Sequence, residues 1–83
     1  MSDLKPTGTH AVNATISSLQ ALLLDYDALR VVRDAKEPST AQYTSAERRL
    51  AGMRRQATKL IDDQLAALDA RVRDSWKRAF GLI

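Results

Sequence analysis

The 83-residue sequence contains no cysteine. Disulfides, thiolate metal sites and cysteine nucleophiles are therefore excluded. Its one histidine, His10, is too little for a zinc site without thiolates. Glycine occurs three times, never in a phosphate-cradling pattern. No serine is set beside a base. Asp62 and Asp63 are neighbours, so on a helix they point roughly 100° apart and do not form a carboxylate pair. These absences predict a non-enzymatic protein with no metal and no cofactor. The longest apolar run, Ala21-Leu22-Leu23-Leu24, falls far short of the ~20 residues that cross a bilayer. No membrane span is expected. Met1 to Pro6 show no basic region followed by an apolar stretch. The expectation is a cytoplasmic protein, with signal-less export or incorporation into a larger assembly left open.

Proline is nearly absent too, and its two positions punctuate the chain. Pro6 and Gly8 mark residues 1–9 as a flexible arm, with Thr7 or Thr9 able to cap the first helix. Pro38 disfavours helix at Glu37 and breaks the hydrogen-bond ladder. Between the two, Val12, Ile16, Leu19, Leu22, Leu23, Tyr26 and Leu29 recur at three-and-four spacing, which predicts a helix over about 10–35. Residues 36–43 read as the turn. Two successive capping-box patterns, Ser39 to Gln42 and Thr44 to Glu47, leave the next start open within 39–44. From about 44 to 80, Leu50, Met53, Ala57, Leu60, Ile61, Leu65, Leu68, Val72, Trp76 and Ala79 predict one long second helix. The spacing slips near Ile61 and Leu65, as an eleven-residue component would make it do. Gly52 is its weak point, at ~1 kcal/mol against alanine.

The predicted fold class is all-α. It is a single domain, residues 10–83, folded as a two-helix antiparallel hairpin with a longer second helix and completed by oligomerisation or a partner. A chain this short rarely gains more than ~3–5 kcal/mol from its core alone. The unequal helices leave an overhang from about Val72 to Ile83. There Trp76, Phe80 and Ile83 fall at i, i+4 and i+7, flanked by Arg73 and Lys77. That pattern is how a helix docks in an apolar groove, so these five residues form the expected partner-docking end. Burial by a folded-back segment of the same chain is the alternative.

Two further patterns stand out. Ala14, Ala21, Ala28 and Ala35 recur every seven residues, with Leu24 and Val31 beside them. Small residues at this interval allow a second helix to approach closely, though alanine is also simply the best helix former. The net charge of +3 is uneven. From Tyr43 onward the chain carries Arg48, Arg49, Arg54, Arg55, Lys59, Arg71, Arg73, Lys77 and Arg78 against five acids. Arg48, Arg55 and Lys59 share one helical face that would suit an acidic partner or a phosphate backbone. The leading expectation is a protein–protein interaction or assembly protein, self-associating or bound to another protein. A nucleic-acid-binding helical dimer using Arg48, Arg55 and Lys59 is the second.

Leu19-Gln20-Ala21-Leu22-Leu23 in the first helix, Pro38-Ser39 at the turn, Gln42-Tyr43 after it, and the later Met53 and Leu60-Ile61 resemble the small helical hairpins of type III secretion, the needle subunits and their co-chaperones. The resemblance covers about half the chain. It implies a hairpin that acts as adaptor, chaperone or structural subunit of a secretion apparatus; a virion or phage component fits the same pattern. The sequence departs from these proteins at its end, Trp76 to Ile83, where needle subunits carry a different tail and the co-chaperones stop sooner.

Overall fold

The computed structural model describes residues 7–83, and of residues 7–11 the backbone only. The described chain is all-helical: α1 (Thr7–Asp34), α2 (Ala41–Gln64) and α3 (Ala70–Ala79). α1 starts before the expected residue 10. Gly8 costs ~1 kcal/mol in a helix, but extending an already nucleated helix adds one bond per residue fixed, so it does not stop the run. The arm expected over 1–9 is thus helical from Thr7, and its first six residues lie outside the described residues.

α1 and α2 form the antiparallel hairpin. Three cross-links fix the register: Arg33 to Glu47 at 2.7 Å near the turn, Arg54 to the Tyr26 hydroxyl at 3.3 Å midway, and Thr15 to Gln64 at 2.6 Å at the far end. α2 begins at Ala41, earlier than residue 44, because neither capping box forms. Thr40 is the N-cap instead. Its Oγ accepts from the Tyr43 N–H at 3.2 Å and donates to the Glu37 carbonyl at 2.7 Å. Glu47 is thereby free to reach Arg33 at the end of α1. Arg33 also bonds Asp34, and the two carboxylates, Glu47 foremost, hold its guanidinium still more firmly protonated than usual.

The second helix is not one long rod. It ends at Gln64, and residues 65–69 reverse the chain into α3. The expected two-helix hairpin becomes a three-helix arrangement. Nothing in Ala66-Ala67-Leu68 opposes a helix, so propensity does not make the break. Burial does. A continuous helix would leave Phe80 in water, and burying one such side chain is worth ~1.5–3 kcal/mol. The broken ladder loses a few bonds of net ~1 kcal/mol each, and several are recovered locally. The Leu65 and Leu68 N–H groups donate to Ile61 and Leu65 carbonyls, and Asp69 caps α3 by accepting from the Arg71 N–H at 2.8 Å.

α3 runs antiparallel to α2. Lys77 meets Asp62 at 3.0 Å, and one turn later Phe80 reaches Tyr26 on α1. The helix closes with a Schellman motif: the Gly81 N–H donates to Arg78 and the Leu82 N–H to Lys77, with Gly81 at φ +70°. Only glycine takes that conformation without strain. The core is Leu19, Tyr26, Leu50, Ala57, Ile61, Leu65 and Phe80. Trp76, Leu68 and Leu82 pack on its edge.

Gly52 lies inside α2, where an added Cβ would meet only the Arg55 guanidinium at 3.7 Å, an ordinary contact. Gly52→Ala should therefore stabilise the chain by about 0.5–1 kcal/mol. A urea midpoint that falls instead would show that Arg55 does not give way.

Candidate interaction surface

The expected docking end is largely turned inward. Phe80 is fully buried, its ring 5.3 Å from that of Tyr26 at 56°. The Tyr26 hydroxyl donates to the Phe80 carbonyl at 3.1 Å. Trp76 is half-buried against the core, and Lys77 is held by Asp62. Arg73 is half-buried, and its enclosed Nε has no hydrogen-bond partner among the described residues. Ile83 alone of the five is well exposed, at 65%. The overhang does not exist, because the reversal at 65–69 brings the aromatic end back onto the hairpin. An intramolecular partner, Tyr26, takes the place of the external groove.

The basic row is where the sequence put it. Arg48, Arg55 and Lys59 are exposed along α2 and make no ion pair among the described residues. Arg54 turns inward to Tyr26. No aromatic side chain stands free beside the row: Tyr43 and Trp76 are half-buried, Tyr26 and Phe80 buried.

An unclaimed apolar surface lies on α1, which carries Leu24, Val31 and Val32, three of the five large hydrophobic side chains exposed among the described residues. A helix with one buried stripe normally turns polar residues outward. α1 does not. Its buried side carries Thr15, Leu19 and Tyr26. Its outer side carries Ala14, Ala21, Ala28 and Ala35, all exposed, with Leu24 at 73%, Val31 at 69% and Val32 at 49% exposure. Neither α2 nor α3 can cover it, because both pack on the opposite side, and the molecule measures 58 × 24 × 15 Å. Its thin dimension is little more than one helix diameter of ~10–12 Å.

Beside this face, on the flank that α3 leaves open, a shallow groove runs between α1 and α2. Leu29, Val32, Ala46, Arg49 and Met53 line it. Val32 joins groove and outer face into one patch. The alanine row with Leu24 and Val31 was legible in the sequence; Val32 was not, because it reads as one more residue of an apolar pair. No group of three metal-ligating side chains comes together among the described residues, and no helix there is long and apolar enough to cross a membrane. The His10 side chain lies outside the described residues. No protein-family model matches the chain, and neither the curated proteins nor the solved structures contain a significant match.

Proposed function

We propose that this chain is a non-enzymatic interaction protein that acts as a small helical adaptor or structural subunit of a larger assembly. The outer face of α1 carries this reading: two large aliphatic side chains exposed by more than two-thirds, set in a row of alanines. An exposed apolar stripe of this kind costs solubility and marks a surface that is covered in use. The resemblance of its first hairpin to type III secretion hairpins agrees with a subunit role. Trp76 and Phe80 support the site from behind by locking α3 onto the hairpin; they do not form it.

The nucleic-acid reading is weaker. Three cations along one face of α2 supply a short phosphate track, but no exposed aromatic is present among the described residues to stack on a base.

The test is purification of the tagged full chain from its native cells under mild conditions, beside a Leu24→Lys variant. Co-purifying proteins should be lost at least tenfold from the variant, with its helix content unchanged. An identical set retained by both would overturn the assignment of the α1 face.

A further inference from the structure

We infer that the outer face of α1 pairs with the same face of a second copy of this chain, antiparallel and about a twofold axis between Leu22 and Leu23. This names the partner for the surface proposed above and rests on that reading.

The face has a strict period of seven. Ala14, Ala21, Ala28 and Ala35 hold one seam position, and Ser17, Leu24 and Val31 the other. A sustained seven-residue repeat is the geometry of a left-handed coiled coil. The seam alternates small and large, so orientation matters. Two parallel copies in register would stack alanine on alanine and leucine on leucine, leaving gaps beside bulges. Two antiparallel copies stack small on large at Leu24 and Val31, and leave Ser17 with Ala28 as the small-on-small layer. With the axis between Leu22 and Leu23, Ala14 meets Val31 of the second copy and Ala21 meets Leu24. Ser17 meets Ala28, and the same contacts repeat on the other side of the axis. The seam is complementary to itself, as a twofold interface requires.

Charge selects this register. The residues flanking the seam are Asn13, Gln20, Asp27 and Asp34 on one side, and Ser18, Asp25 and Val32 on the other. In an antiparallel pair each flank faces its own copy. Here Asp25 comes beside Ser18 of the second copy, Asp27 beside Gln20 and Asp34 beside Asn13. Every acid meets an uncharged polar side chain. Sliding by one heptad toward the turn would set Asp25 against Asp25 and Asp27 against Asp27, and like charges so placed repel. Sliding the other way pairs the seam only from Ala14 to Leu24 and leaves Val31 of each copy beyond the apolar seam of the other.

The area agrees with a reversible dimer. Ala14 to Ala35 span about 32 Å of helix, and a strip about 10 Å wide gives a footprint of roughly 300 Å² per copy. At roughly 600 Å² for the two copies together it lies below the ~1,200–2,000 Å² of stable interfaces, so a weak, transient dimer that dissociates in the high micromolar range or weaker is expected.

Sedimentation equilibrium of the full chain from about 1 μM to 1 mM should show the mass rising from 9.2 kDa toward twice that value. Leu24→Lys should weaken the association at least tenfold. Orientation is read with engineered thiols, for which a cysteine-free chain is a clean background. Ala14→Cys and Val31→Cys chains, mixed and oxidised, should cross-link to each other. Neither should cross-link to itself, because same-site thiols lie about 25 Å apart in this arrangement. A cross-link of Ala14→Cys to itself overturns the antiparallel pairing. A chain that is monomeric throughout overturns the second copy as partner; if Leu24→Lys still strips proteins from the native purification, the interaction reading stands without it. A dimer indifferent to Leu24→Lys overturns the α1 face as the interface.

Discussion

Phe80→Ala should destabilise the chain by about 3–5 kcal/mol, the range for removing a buried aromatic ring. Phe80 is fully buried although it lies close to the end of the sequence. It connects what would otherwise be separate parts. Its ring packs on Tyr26 of α1, it lies in one cluster with Ala57 and Ile61 of α2, and its carbonyl accepts the Tyr26 hydroxyl. Without the ring, only the half-buried Trp76 and Leu82 and the Lys77–Asp62 pair are left to offset the broken ladder at residues 65–69. α3 should then leave the hairpin, and the Trp76 fluorescence should shift to the red as its half-buried edge opens. For a chain of this length total stability is about 4–12 kcal/mol, so the loss is a large share of the whole. Urea unfolding followed by circular dichroism and by Trp76 emission measures both effects. A loss below about 1 kcal/mol would mean that the C-terminal end is not docked as described.

The same residue shows where the sequence was and was not legible. The helical class and the hairpin turn followed from local signals: the three-and-four spacing of Val12 to Leu29, and Pro38 followed by hydroxyl caps. Local signals could not give the reversal after Gln64, because Ala66-Ala67-Leu68 favours the helix that the fold refuses. The decision there is a tertiary one, made by what Phe80 gains from Tyr26, 54 residues away. Two traces were present. The apolar spacing slips at Ile61 and Leu65, where an interrupted helix changes phase, and Asp69 is a strong N-cap residue standing between two periodic segments. A slip followed by a cap is better read as a break than as a change of supercoil. The proposed interaction surface shows the opposite case. Its alanine period is visible in the sequence, where helix propensity explains it equally well; the exposure of Leu24 and Val31 is what supports the interface reading. Helix propensity accounts for exposed alanines. It does not account for Val31, a β-branched residue exposed at the alternate position of the same heptad.

Leu19→Ala and Leu24→Ala remove the same atoms from the same helix, five residues apart, and should give opposite results. Leu19 is fully buried between α1 and α2, so its truncation leaves a cavity and should cost about 3 kcal/mol at every protein concentration. Leu24 is 73% exposed, and alanine is at least as good a helix former, so folding of the isolated chain should change by no more than about 0.5 kcal/mol. The concentration dependence then carries the information. Association stabilises the folded state by mass action. The wild-type and Leu19→Ala chains should therefore both gain thermal stability as concentration rises, along parallel lines offset by the lost packing. Leu24→Ala should match the wild type when dilute and fall behind it when concentrated, because in the proposed dimer the side chain it lacks packs between copies and not within one. Melting curves by circular dichroism at two concentrations about a hundredfold apart are enough. Equal concentration slopes for wild type and Leu24→Ala would remove Leu24 from the interface. A Leu19→Ala variant as stable as the wild type would contradict the hairpin core itself.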